Sequence, residues 1–424
     1  MDETVYEEIK TELIEDILPF WPEHAEDKST GGFYGALSNA NIVNQKEWRG
    51  IVMVSRFLWT YSAAARFLKD PSYLETADYA HRYMMKNFHD PYYGGMYWSV
   101  TSDGNPLVER KQIYGNAFAI YALSEYAAAI KELRDEDEAS KLVMDQALEI
   151  YNLIEQHAYD GEYGGYYEAR ARNWDETEET KLSEKDIDCS KSMNTNLHVM
   201  EAYTNLYRTI SIIHPDRKND RRIIGRALGN LVEVHIEKIL AKKYHLTLYF
   251  ERNWKSMGPK EVSYGHDIEA SWLLWEAVEE LKNIELKKMV RPVAIKVAQL
   301  SLVEGYDKST GGFENKMDEN GERDTTRIWW NQAEALNGFY NAWQMTGDKA
   351  FLDACDGIWN WIKTYQKDNE NGEWFQAVSN KGKPAKRELK GGNWKTSYHN
   401  GRCCMEILRR SGYMDDGKEA EEEQ

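Results

Sequence analysis

Cysteine is scarce in this chain. The 424 residues hold four, Cys189, Cys355, Cys403 and Cys404, in a number and spacing that suggest neither a disulfide framework nor a zinc site. Adjacent Cys403 and Cys404 would point to different sides of a helix and read as small core residues. Long apolar runs are missing as well, since nothing approaches the roughly 18 residues that cross a bilayer. The N-terminal stretch MDETVYEEIKTELIEDILPFW is acidic and amphipathic, without the basic start and apolar run of a secretory signal. A cytoplasmic protein that avoids membranes is expected. Positive charge is short too, with 53 Lys and Arg against 71 Asp and Glu, a net charge of −18 and a pI near 5.2. Nucleic-acid binding draws on clustered Lys and Arg, so this balance argues against a polyanionic partner and for a neutral ligand.

Aromatic residues are what the chain has in plenty, with 15 Trp and 27 Tyr. Their rings offer flat apolar faces with polar edges, suited to stacking on sugars as well as to core packing. The remaining composition, 42% hydrophobic and 29% charged, is that of an ordinary globular protein with material for a large core.

Internal repetition organises the sequence. A turn with paired glycines or Asn-Gly, flanked by aromatics, recurs as STGGFYGAL at Gly31, YYGGMYWSV at Gly94, EYGGYYEAR at Gly164, STGGFENKM at Gly311 and NGEWFQAV at Gly372. The steps are 63, 70, 147 and 61 residues, and the long one spans two units. YHLTLYFERNW from Tyr244 supplies the missing member, with the alternating pattern but no glycine pair. Each turn reads as a β-hairpin-like loop. A mostly apolar helical pattern follows each one, such as NAFAIYALSEYAAAIKEL from Asn116, NLHVMEAYTNLYRTI from Asn196 and NQAEALNGFYNAWQ from Asn331. A more polar helix, for example PSYLETADYAHRYMMKNF from Pro71, leads to the next turn. Six helix pairs without a βαβ pattern predict an all-α fold, an (α/α)6 barrel with short β-hairpin loops between helix pairs. Residues 1–412 are expected to form one catalytic domain, and the acidic stretch 413–424 a solvated, disordered tail.

Equivalent repeats would bring the starts of the six inner helices to one end of the barrel. The first carries Trp48, Arg49 and, two turns in, Arg56; the second Tyr114 and Asn116; the third Asn194, Asn196 and His198. The fourth carries Tyr264, His266 and Glu269, the fifth Trp329, Trp330, Gln332 and Glu334, and the sixth Tyr398, His399 and Asn400, with Trp394 just before it. A lone histidine at a helix start is commonly a cap or a solvated residue, and paired tryptophans are commonly core. Three of only ten histidines at matching helix starts depart from that expectation.

Three chemistries compete for these residues. His266 and Glu269, at i and i+3, share a helix face as in carboxylate-histidine metal motifs, but the other ligands come one per helix, without the paired i, i+4 histidines of zincin-type sites. Glu269 and Glu334 could be the two carboxylates of a glycoside hydrolase, which leaves the histidines idle. Histidines instead suit proton abstraction next to a carbonyl, because imidazole titrates near neutrality and two rings can exchange acid and base roles. Arg56 can then serve as the cation for the enolate oxygen. Glu269, one turn after His266, could hold that ring and stabilise its imidazolium.

The motifs SYGHDIEASWLLWEA from Ser263, RIWWNQAEALNGF from Arg327, NTNLHVMEAYTNLYR from Asn194 and YHNGRCCMEIL from Tyr398 together resemble the N-acylglucosamine 2-epimerase superfamily, in its cellobiose 2-epimerase branch. The resemblance runs from VSRFLW at Val54 to Leu408. It implies an (α/α)6 barrel and epimerisation, without metal or cofactor, at C2 of the reducing-end sugar of β-1,4-linked disaccharides. Cellobiose would give glucosyl-mannose, lactose epilactose, and mannobiose mannosyl-glucose. Carried over, it makes His266 and His399 the acid/base pair on the two faces of C2, His198 an aid to ring opening, Arg56 the ligand of the enediolate oxygen and Glu269 the partner of His266. Trp394 and one of Trp329 and Trp330 would stack on the sugar, with Tyr114, Asn116, Asn194, Asn196 and Glu334 also at the substrate. The implied route opens the sugar, removes the C2 proton to a cis-enediolate, rotates about C2–C3 and reprotonates; return of the proton to C1 would give a ketose. A monomer, with a disaccharide as its only expected partner, completes the reading.

Overall fold

The computed structural model describes residues 1–414; Tyr413 and Met414, the first two residues of the expected disordered tail, are instead helical, with the Tyr413 hydroxyl donating to Glu7 at 2.6 Å, and the rest of that tail lies outside the described residues. Helices dominate: α1 (Glu3–Thr11), α2 (Leu18–His24), α3 (Ile51–Leu68), α4 (Leu74–Asn87), α5 (Ile113–Arg134), α6 (Asp137–His157), α7 (Met193–Ile213), α8 (Lys218–Val234), α9 (Tyr264–Leu281), α10 (Ile284–Leu300), α11 (Trp329–Thr346), α12 (Lys349–Trp361) and α13 (Tyr398–Ser411). A π-helical turn, Glu12–Ile17, joins α1 to α2. Among the described residues no helix is long and apolar enough to cross a membrane, and all four cysteines are buried free thiols.

Two kinds of helix alternate, and composition explains each. Every residue of α5 from Ile113 to Ile130 is buried, so this helix is apolar or small on all sides and packs on all sides. In α8 the buried set is Ile224, Leu228, Leu231 and Val232, a single stripe with charged residues opposite. Helices of the first kind, α3, α5, α7, α9, α11 and α13, contact one another in that order, and α13 returns to α3. The second kind flank them: α4 lies on α3, α6 on α5, α8 on α7, α10 on α9, α12 on α11, and α1 on α13. The inner helices α5, α7 and α11 begin three, three and two residues earlier than the sequence motifs that announced them.

Strand pairing closes the same circle. Each inner helix is preceded by a two-residue strand that pairs antiparallel with the hairpin of the next repeat: Arg49–Gly50 with Ser99–Val100, Lys111–Gln112 with Ala169–Arg170, Lys191–Ser192 with Tyr249–Phe250, Val262–Ser263 with Lys316–Met317, and Arg327–Ile328 with Ala377–Val378. The sixth, Gly391–Gly392, pairs with Ala36–Leu37 of the first hairpin. All hairpins therefore stand at the N-terminal ends of the inner helices.

Charge pairs lock five of the six. An aspartate before each turn bonds the basic residue ahead of an inner helix: Asp27 with Arg49, Asp90 with Lys111 at 3.0 Å, Asp160 with Lys191 at 2.9 Å, Asp307 with Arg327 at 2.8 Å, and Asp368 with Lys390. The fourth hairpin, the one without a glycine pair or Asn-Gly, differs. Tyr244 takes the left-handed conformation there (φ +64°), and Asp267 of α9 holds the loop through the Leu246 N–H at 2.9 Å and His245 Nδ1 at 2.8 Å.

Candidate active site

Side chains from all six inner helices meet near the hairpin end. Arg56, Phe118, His198, Glu269 and Glu334 stand five residues after the first residue of their helices, and Arg402 four after the first of α13. They touch as one layer. The Arg56 guanidinium lies 4.7 Å from the Phe118 ring centre and Phe118 lies 4.9 Å from the His198 ring, while Arg402 bonds Glu269 at 2.9 Å and Glu334 at 2.7 Å. His266 and His399 are two and one residues into their helices, nearer the mouth. The matching positions expected of the three histidines are thus corrected: His198 sits about one turn deeper than the other two.

Each histidine has a different Nδ1 partner. His198 faces Glu201 Oε2 at 2.7 Å, His399 faces Glu334 Oε1 at 2.7 Å, and His266 faces Ser263 Oγ at 2.7 Å. Glu269 does not hold His266 as expected, because its carboxylate is drawn across the ring to Arg402. Glu334, expected at the sugar, is saturated: Oε1 accepts from Arg402 and faces the Nδ1 of His399, and Oε2 accepts the Trp272 indole N–H at 3.0 Å. Its place is behind His399. Asn116 and Asn196 are committed as well. The Asn116 amide accepts the Met96 N–H at 2.8 Å and donates to the Gln112 carbonyl at 2.9 Å; Asn196 treats Tyr166 and Ser192 alike, at 2.9 and 2.8 Å. Both pin hairpin backbone that would otherwise be buried unpaired.

Arg402, Glu201 and Ser263 were missed by sequence reasoning. Arg402 is 1% exposed, bonds Glu201, Glu269 and Glu334, and packs 4.8 Å from the Trp272 ring. A signal for two of them existed: His198–Glu201, His266–Glu269 and His399–Arg402 share one step of three residues. Three carboxylates around one guanidinium divide into charged and neutral. Burial raises all three, but the Arg402 charge together with the histidine partner outweighs it for Glu334, held below the usual carboxylate range, and, with the Tyr398 hydroxyl added, for Glu201, brought down to about 2. Burial and the Glu334 charge push Glu269 well above that range.

Burial also lowers the histidines. His266 and His399 fall to about 3, the His198 charge adding to the effect at His266 and Glu334 opposing it at His399; His198 is lowered as well. All three rings are therefore neutral near pH 7 and can accept a proton.

The other expected residues surround them. Arg56 donates to the Trp394 carbonyl at 2.6 Å and to the Tyr114 hydroxyl at 3.2 Å, and Tyr114 meets His198 edge-on at 5.0 Å. Trp330 lies 4.8 Å from the His266 ring and 5.7 Å from that of His399, whereas Trp329 reaches only His399, at 6.3 Å. Among the described residues the buried Asn194 Oδ1 has no partner, and Asn194 lines a cavity of about 50 Å³ with His266 and Glu168. Trp394, Trp48 and Trp98 line a wider groove of about 640 Å³ beside it.

Two alternatives meet obstacles in this arrangement. Glu269, Glu334 and His399 offer donor atoms within 4.8 Å of one another, as a metal centre would. Yet the Arg402 guanidinium already lies on both carboxylates, so a cation would have to displace it. The same guanidinium holds Glu269 and Glu334 together, whereas a hydrolase needs its two carboxyls on opposite sides of the bond.

Comparison with known proteins identifies the family. The family model for N-acylglucosamine 2-epimerase (GlcNAc 2-epimerase) matches residues 32–403. A cellobiose 2-epimerase of Bacteroides fragilis is 40% identical over 409 residues, covering 96% of this chain and all of that protein. One from Ruminococcus albus is 36% identical, covering 95% and 98%. The solved structure of the cellobiose 2-epimerase of Bacillus thermoamylovorans superposes with a TM-score of 0.87 at 36% identity, covering 96% of this chain and 100% of that one. The site and the fold thus define a carbohydrate isomerase. The chain belongs to the N-acylglucosamine 2-epimerase family, in the branch of the cellobiose 2-epimerases.

Proposed function

We propose that the closed helix ring is an (α/α)6 barrel, formed by one catalytic domain, that epimerises C2 of the reducing-end sugar of β-1,4-linked disaccharides. Cellobiose then gives glucosyl-mannose, lactose epilactose, and mannobiose mannosyl-glucose. The observation that carries the reading is the pair His266 and His399: two neutral imidazoles on different helices, bridged by Trp330, with the Arg56 charge acting on His399. One ring removes the C2 proton of the opened sugar, the charge gathers on O1 against Arg56, and the other ring, having taken up a proton from solvent, delivers it to the opposite face of C2 after rotation about C2–C3. His198, backed by Glu201, assists ring opening. Trp394 and the Trp329–Trp330 pair form aromatic walls for the sugar rings. Tyr114 and Asn194 supply hydrogen bonds. Protonation at C1 gives a ketose as side product. No metal or cofactor takes part, and the protein works as a cytoplasmic monomer.

Proton NMR of EDTA-treated protein with cellobiose in D₂O tests this. Glucosyl-mannose carrying deuterium at C2 is expected. Free glucose would instead make the protein a hydrolase, and activity appearing only on adding a divalent metal would return the chemistry to Glu269, Glu334 and His399.

A further inference from the structure

We infer that Ser263 is a positioning residue that fixes the tautomer of His266, so that the Nε2 lone pair of that ring is the base that meets the substrate. The inference rests on the epimerase reading above and deepens it. Ser263 is the last residue before α9, and its strand pairs with Lys316–Met317, which anchors the hydroxyl from outside the helix. Its Oγ stands 2.7 Å from His266 Nδ1. When that hydroxyl accepts, Nδ1 carries the hydrogen and the Nε2 lone pair is left for the substrate.

The contrast with the other rings is one of charge. Glu334 and Glu201 stabilise an imidazolium at His399 and His198, as the orienting acid of a triad does; a serine hydroxyl carries no charge. The groups facing His266 from neighbouring elements do not replace one: Trp330 packs on it from α11, His198, which opposes its protonation, and the Glu334 charge act from α7 and α11, and Glu168, Asp186 and Asn194 line the small cavity it shares. None of these carboxylates bonds it among the described residues.

The proton balance follows. The C2–H bond breaks, its proton passes to His266 Nε2, and its electron pair forms C1=C2 while the carbonyl π pair moves onto O1. His399, once it has taken up a proton from solvent, gives that proton to C2, the C1=C2 pair forms the new C2–H bond while the O1 charge re-forms the carbonyl, and each ring is then one proton away from its state before the transfer. An imidazolium at His266, lacking a carboxylate partner, sheds its proton readily, so the ring returns to the tautomer that Ser263 holds.

The test is nitrogen-15 NMR of histidine-labelled protein together with the pH dependence of kcat for Ser263→Ala, Ser263→Thr and Ser263→Asp. Wild type should show His266 protonated at Nδ1 and bare at Nε2. Ser263→Ala should mix the tautomers and lower kcat about tenfold with KM held, and Ser263→Thr should restore both. Ser263→Asp should raise His266 protonation by about one unit or more, moving the acid limb of kcat with it. Should Ser263→Asp fail to fold, the alanine and threonine variants decide alone. An active Ser263→Ala enzyme with the wild-type tautomer and pH profile overturns this inference and leaves the epimerase reading standing. Wild-type protein that forms no C2 epimer overturns the reading itself, whatever the tautomer.

Discussion

Glu334→Gln isolates the charge behind His399. Glu334 is fully buried and makes a 2.7 Å contact with the ring, and glutamine keeps its size and an acceptor oxygen while losing the charge. A buried hydrogen bond to a charged group contributes about 1.5–3 kcal/mol. That support exists for the imidazolium and is absent for the neutral ring, so it is realised in the proton-transfer step. At 1.36 kcal/mol per factor of ten, kcat should fall roughly 10- to 150-fold with KM little changed. Folding should survive. Burial and the Glu334 charge are what hold Glu269 protonated, so removing that charge lets Glu269 ionise beside Arg402 and keep the guanidinium matched. Steady-state epimerisation of cellobiose, with a thermal melt of the same sample, measures both. A kcat within threefold of wild type, or a loss confined to KM, would refute the assignment of Glu334 as the partner of a proton-carrying His399.

Other perturbations test other levels of the structure. His399→Ala or His266→Ala should each abolish epimerisation in the D₂O assay while the melting midpoint stays near wild type, and either variant keeping near-normal turnover removes the two-histidine mechanism. Gly165→Ala should cost about 3 kcal/mol or more in chemical denaturation, because φ is +72° and the new Cβ would meet the Trp254 ring at 2.4 Å and Asn196 Oδ1 at 2.9 Å; a loss under about 1 kcal/mol contradicts the packing. Asp90 is held well below the usual carboxylate range by Arg172 and Lys111 despite burial. Its contribution is therefore complete above the unfolded value near pH 3.9 and lost as pH falls toward the folded value. Asp90→Asn should lower stability at pH 7 by about 3–5 kcal/mol and flatten the decline below about pH 4, read from melts across that range.

Much of this architecture was legible because repetition leaves marks at fixed intervals. Four glycine pairs and one Asn-Gly exposed five hairpins, and the alternating stretch from Tyr244 exposed the sixth, whose anchoring through Asp267 was not legible. The histidine pair was readable from position. Their partners were not, because partner choice depends on contacts between helices. Glu269 lies on the same helix as His266 yet turns to an arginine 133 residues later in the chain, while a serine outside the helix takes the ring. Asn116 and Asn196 were misplaced for a related reason: they stand at the cavity rim, where a sugar contact is plausible, but the hairpin's buried N–H and C=O groups claim their amides first.

The strand that joins Ala36–Leu37 to Gly391–Gly392 ties the first hairpin to the last helix. During synthesis the chain presents Arg56, His198, His266 and Glu334 long before it presents His399 and Arg402. Until that final segment emerges, Glu269 and Glu334 lack their guanidinium, the first hairpin lacks its neighbour, and the apolar flanks of α3 and α11 lie bare. A polypeptide cut short therefore loses closure and chemistry together, and catalytic turnover is itself a report that the whole ring has been made.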